Sequence, residues 1–140
     1  MITDNYIKMC SKAEEIQKEW KPQVGDWQYW SNDKTKMANI LMITSLQKKY
    51  KANIRIWLPT QEQLQEMLEE IKNNTYIAFR FNHFLNVEYN NVTFQPAYIL
   101  LNSINPIFMC SMNEFWLAFV MKERWNKVWD GENWVKEVRE

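Results

Sequence analysis

His83 is the one histidine of the chain, and the two cysteines, Cys10 and Cys110, stand far from it in sequence and far from each other. A two-histidine metal site and a histidine relay fail on that inventory. No CxxC and no Cys/His cluster is present, so the sequence predicts no zinc centre and no cofactor. A cysteine with His83 would make a thiol nucleophile and its base, yet neither cysteine sits in a Gly-rich or strand-to-helix elbow. Carboxylates pair at Glu14/Glu15, Glu62/Glu66 and Glu69/Glu70. Glu62 and Glu66 share one helical face, where they could hold a divalent ion or share a proton, although a solvated face is the commoner use of such a pair. The sharpest chemistry lies between Trp27 and Trp57. Lys48, Lys49, Lys51 and Arg55 stand near Tyr50 and Trp57, with Trp27, Tyr29 and Trp30 on a preceding segment. Basic groups beside aromatic faces hold a nucleotide or single-stranded nucleic acid by ion pairing and stacking. Trp27, Tyr29, Trp30, Lys48, Lys49 and Arg55 are therefore the candidate ligand-binding set. The plainer reading makes the lysines solubilising and turns the strand aromatics to the core.

These residues must be positioned by the elements that carry them. Thr3 caps a predicted helix running to about Trp20, with Tyr6, Met9, Cys10, Ala13, Ile16 and Trp20 on one face and Pro22 as its stop. Gly25-Asp26 turns the chain into a strand at Trp27 to Trp30. Met37 to Leu46 is apolar, with Ile40 to Ile43 expected as a short buried strand. Ala52 to Trp57 alternates, Ile54 and Ile56 against Arg55 and Trp57. Three strands in succession predict a small antiparallel meander. Thr60-Gln61-Glu62-Gln63 reads as a capping box opening a helix to about Lys72. Tyr76 to Val87 fits both periods, and its length after a capping Thr75 favours a helix. Tyr98 to Leu101 reads as an edge strand and Asn105-Pro106 as a turn.

Ser111 to Val135 organises the rest. Ser111 and Glu114 fit a capping box, and Phe115 through Met121 is apolar around most of a helical circumference, which predicts a buried helix. Charges return at Lys122, Glu123 and Arg124, where the helix should emerge into water. Asp130-Gly131 between Trp129 and Trp134 predicts a tight hairpin. The structural reading is a tryptophan-clamped hairpin closing on a core helix. The functional reading places Trp125, Trp129 or Trp134 on a protein-binding surface.

Seventeen basic and 17 acidic residues cancel, whereas a duplex nucleic-acid binder carries a basic excess. Two glycines exclude a Gly-rich phosphate cradle. No signal peptide opens the sequence and no apolar run is long enough to span a membrane, which with the thiols predicts a reducing, cytoplasmic setting. The chain reads as one α+β domain over residues 1–140: about four helices on a small antiparallel sheet, with a C-terminal hairpin turn. The sheet is expected to pack against the Met112–Lys127 helix. The apolar surplus is compatible with a homodimer.

Several blocks resemble a family. They are Ala13-Glu14-Glu15-Ile16-Gln17-Lys18-Glu19-Trp20-Lys21-Pro22, then Gly25-Asp26, then Trp57-Leu58-Pro59 with Gln61 and Gln63-Leu64-Gln65-Glu66-Met67. Leu117-Ala118-Phe119-Val120-Met121-Lys122-Glu123 and Lys127-Val128-Trp129-Asp130-Gly131-Glu132-Asn133-Trp134 complete the pattern. Together they resemble an uncharacterised family of small proteins encoded by bacteriophages, prophages and other mobile elements of anaerobic bacteria. The likeness covers about half the chain; Ser31–Ile56 and Lys72–Ser111 lie outside it, and Thr60 stands where the family pattern has arginine. It carries over no catalytic residue. It implies an accessory protein of the bacterial host cytoplasm that binds a host or phage protein, or sequesters a nucleotide or nucleic acid, in a defence pathway.

Overall fold

In a computed structural model the described residues are 2–32, 34–46, 54–69, 79–81, 83–84 and 112–137. The N-terminal helix forms where Thr3 caps it, its hydroxyl oxygen accepting from the Tyr6 amide at 3.0 Å. It is two helices rather than one: α1 (Asp4–Lys12) and α2 (Glu14–Glu19) break at Ala13, whose ψ of 72° leaves the helical region. The break is stabilised by a side chain. Gln17 donates to the Cys10 carbonyl at 3.1 Å, taking an acceptor that a continuous helix would use. The predicted stripe is otherwise the buried one, with Tyr6, Met9, Cys10, Ala13 and Ile16 fully enclosed and Trp20 half-buried.

Strands β1 (Trp27–Asn32), β2 (Met37–Met42) and β3 (Ile54–Trp57) form an antiparallel sheet in the order β2-β1-β3. A meander would put β2 in the middle; here β1 is central, and β3 pairs with β1 by placing Trp57 opposite Gln28 and Arg55 opposite Trp30. The stretch expected as a buried strand is an edge instead. Met37, Ala38, Asn39 and Met42 are exposed, Ile40 and Leu41 are half-buried, and only Ile43 beyond the strand end is enclosed. A strand at an edge can be apolar in sequence and still face water, because enclosure depends on what lies beside it.

The second capping box forms as its spacing requires. The Gln63 amide donates to Thr60 Oγ1 at 3.2 Å while Thr60 N–H donates to Gln63 Oε1 at 2.9 Å, opening α3 (Gln61–Glu69). Helix α4 (Met112–Trp125) is buried from Glu114 through Lys122, as an all-round apolar helix should be. Lys122 does not emerge into water; it is buried and ion-paired with Glu137. The expected Ser111 cap lies outside the described residues. The Glu114 carboxylate, fully buried, accepts from Thr3 Oγ1 at 2.7 Å and from Asn5 Nδ2 at 3.0 Å, and so ties α4 to the start of α1. Of the ambiguous Tyr76–Val87 segment, the described Phe79, Arg80, Phe81 and His83 are helical. Phe81 stacks on Trp116 at 4.0 Å, and Phe84 meets Phe119 at 5.4 Å. Strands β4 (Lys127–Trp129) and β5 (Trp134–Lys136) make the predicted hairpin. Its turn is held by Asp130, whose Oδ1 accepts from the Glu132 and Asn133 amides at 2.8 and 2.7 Å, with Gly131 at φ +104°. Asn126, at φ +53°, ends α4 and bonds across to Glu137.

The sheet was expected to lie on α4. Instead, among the described residues, α4 packs chiefly on α1, α3 and β4, and the three-stranded sheet meets the helices chiefly where β3 packs on α1. The chain is thus an α+β fold, and among the described residues no helix is long and apolar enough to cross a membrane.

Candidate functional site

The described candidate ligand-binding residues, Trp27, Tyr29, Trp30 and Arg55, do not share a face. Neighbours along a strand point to opposite sides, so Trp27 and Tyr29 lie on one side of β1 and Trp30 on the other, in line with Arg55 across the β1–β3 pairing. Trp27 is 38% exposed, opposite Met42. Tyr29 and Trp30 are half-buried, and Tyr29 packs on the core. The Arg55 guanidinium is engaged: Nε donates to the buried Gln28 side chain at 2.8 Å, and the group lies 5.4 Å over the Trp20 ring. Lys48 and Lys49 lie outside the described residues. Among the described candidates the pleat divides the aromatics, setting Trp27 and Tyr29 on the opposite face from Trp30 and Arg55.

On the side where β3, α2 and α3 meet, a cleft of roughly 490 Å³ opens. Its anchor is Asp26, buried at the start of β1. Asp26 Oδ2 accepts from Trp20 Nε1 at 3.0 Å and from the Gln23 amide at 2.9 Å, and Oδ1 accepts from Gln63 Nε2 at 2.7 Å. One side chain thus holds the end of α2, the turn before β1 and the capping residue of α3. The Trp20 ring lies parallel to Trp57, centroids 6.1 Å apart, an ordinary stacked pair. Arg124 forms the far wall, both its terminal nitrogens 2.8 Å from the Glu19 carboxylate. Glu66 and Lys21 complete a lining of both signs. Such a lining suits one polar or zwitterionic group better than a polyanion.

Two groups among the described residues, Cys10 and Tyr6, are held in their protonated forms by burial. Burial pushes the Cys10 thiol well above its usual range, with the Glu114 carboxylate adding to the rise, so at neutral pH the fully enclosed sulfur is protonated. The Tyr6 hydroxyl is likewise pushed up, first by burial and then by Cys10 and Glu114, and donates to the Pro59 carbonyl at 2.5 Å. Glu62 and Glu66 are both exposed, and among the described residues no three His, Cys, Asp or Glu side chains gather as a metal site would need. Burial raises the Glu15 carboxyl, but the Lys127 hydrogen bond, a backbone hydrogen bond and the Lys127 and Lys18 charges together outweigh it, and the group ends below its usual value.

The tryptophans proposed for protein contact follow the structural reading. Trp129 is fully buried and offers no surface to a partner. Trp134 packs on it at 5.1 Å and donates its indole N–H to the Met9 carbonyl at 2.9 Å, fastening the hairpin to α1. Trp125 is half-buried under the Arg124 guanidinium at 4.5 Å.

Sequence reasoning missed Gln17, Trp20 and Asp26. Gln17 gives both ends of its amide to the Trp57 backbone: Nε2 donates to the carbonyl at 3.0 Å and Oε1 accepts from the N–H at 2.9 Å. No spacing signals a partner so distant in the chain. Val24, Trp27 and Met42, 62%, 38% and 46% exposed, lie at one end of the sheet, where Gly25 bonds to Ile43 and Trp27 faces Met42. Comparison with protein-family models, with curated proteins and with solved structures gives no match to this chain.

Proposed function

We propose that the chain is a non-enzymatic binding protein and that its partner is another protein, docked at the sheet end that carries Val24, Trp27 and Met42. The observation behind this is the exposure of those three apolar side chains in one place, in a protein whose other tryptophans are largely spent on packing. In the phage or mobile-element setting that the sequence resemblance implies, the partner is a host or phage protein, and blocking a host defence component is the corresponding role. The test is capture from host lysate by the tagged chain and by a variant carrying Trp27→Ser and Met42→Ser. A stoichiometric protein held by the first and lost by the second, with unchanged circular dichroism, supports the reading. Equal capture by both would refute it.

A second reading is a nucleotide or single-stranded nucleic-acid binder. It rests on the exposed Trp27 as a face on which a base could stack. Quenching of tryptophan fluorescence by nucleotides, lost on Trp27→Phe, would favour it over the first.

A further inference from the structure

Among the described residues nothing guards the outer edge of β2. Natural sheets blunt an edge with lysine, proline or a bulge. From Met37 through Leu46 this chain carries no charged residue and no proline. Among the described residues only β1 pairs with β2. The direction of its free groups follows from the ladder. Ile43 N–H donates to the Asp26 carbonyl at 2.8 Å, so by alternation Leu41, Asn39 and Met37 turn their backbone groups toward β1. Ala38, Ile40 and Met42 then turn theirs outward. The Ile40 amide bears this out, since it donates to the side chain of the neighbouring Asn39 at 2.9 Å rather than to a strand.

An edge of this kind selects an extended backbone. What selects a second copy is charge and symmetry. The chain has zero net charge, so two copies meet without long-range repulsion. Met37 to Met42 has no ionisable side chain to oppose itself. Its three outward residues are centred on Ile40. We infer that two copies of this chain pair antiparallel through β2 about a two-fold axis at Ile40, joining their sheets into one. Ile40 then faces Ile40 of the second copy, and Ala38 faces Met42, each pair exchanging both backbone bonds. A six-residue edge is a small contact, which places the dimer in the weak, concentration-dependent class. The inference stands apart from the proposed partner, because it is read on the purified chain alone.

Sedimentation velocity of the full chain from about 10 µM to about 1 mM should show a reversible monomer–dimer equilibrium. Ala38→Lys combined with Met42→Lys sets like charges opposite each other on both sides of the axis and should weaken association about tenfold. Ala38→Lys combined with Met42→Glu sets opposite charges there and should restore it. Both positions are exposed, so the fold should tolerate the changes, as circular dichroism would verify. A monomer across the whole range, as an edge reserved for another protein's strand would give, overturns the inference. So does a double-lysine variant that dimerises like the wild type, or a lysine–glutamate variant that fails to recover.

Discussion

The two edges of one small sheet are finished in opposite ways. At β3 the outward N–H and C=O of Trp57 are both taken by the Gln17 side-chain amide, which stands in for a neighbouring strand. Arg55 puts a charge on the same edge, Pro59 follows, and α1 packs against it. At β2, among the described residues, the cover on an outward amide is the Asn39 side chain of its own strand. Backbone hydrogen-bond demand is the same on both edges. What differs is whether the fold brings a distant polar side chain to meet it. The guarded edge is therefore a matter of stability, and the open one a place where association can act.

The comparison can be broken hardest at Gln17. Gln17→Ala strips the Trp57 backbone of both side-chain bonds in a part-buried setting and should cost about 3 kcal/mol in urea denaturation, while exposing a second open edge. Asp26→Ala releases Trp20, which covers the guarded side, together with Gln63 and the Gln23 amide. We expect a loss of about 2 kcal/mol and a shift in tryptophan emission as Trp20 leaves Trp57.

Acid should loosen the C-terminal hairpin and its tie to α2 before it touches β2, which has no titrating group. Asp130, lowered by the Asn133 and Glu132 amides, and Glu15, lowered on balance by Lys127, both sit below their usual values in the folded chain. A depressed carboxyl stabilises the fold above its unfolded value, and that contribution is lost as pH falls through the folded value. Denaturation midpoints should hold from neutrality to about pH 5 and fall below about pH 4, less steeply in Glu15→Gln. The smallest effect is at the open edge. Asn39→Ala frees the Ile40 amide, should change monomer stability by less than about 0.5 kcal/mol, and should tighten self-association in the same sedimentation experiment.

Legibility in the sequence followed chain distance. The Thr3 cap, the Thr60–Gln63 box and the Asp130-Gly131 turn were readable because each closes within three residues. The apolar run of α4 predicted a buried helix and found one, although Lys122 and Glu114 lie inside rather than at its solvent ends. The Tyr6–Ile16 stripe was legible as a face but not as two helices, because the break at Ala13 depends on Gln17 reaching back to Cys10. The aromatic and basic cluster between Trp27 and Trp57 was legible as a composition only. Its division between two faces of β1 comes from the pleat, and the engagement of Arg55 with Gln28 and Trp20 comes from pairing β3 to β1.

By itself the sequence determined the approximate place of most described elements, their local caps and turns, and the burial of α4. Those rest on residue type and on bonds between near neighbours, which form whatever the rest of the chain does. Only the tertiary structure decided that β1 is the central strand, that Gln17 closes one edge, and that Asp26 gathers Trp20, Gln23 and Gln63. It also decided that β2, apolar enough in sequence to be a core strand, lies at the margin. Each of those outcomes is a choice among competing distant partners, and side-chain geometry in the assembled fold is what makes one partner reachable and leaves the others out.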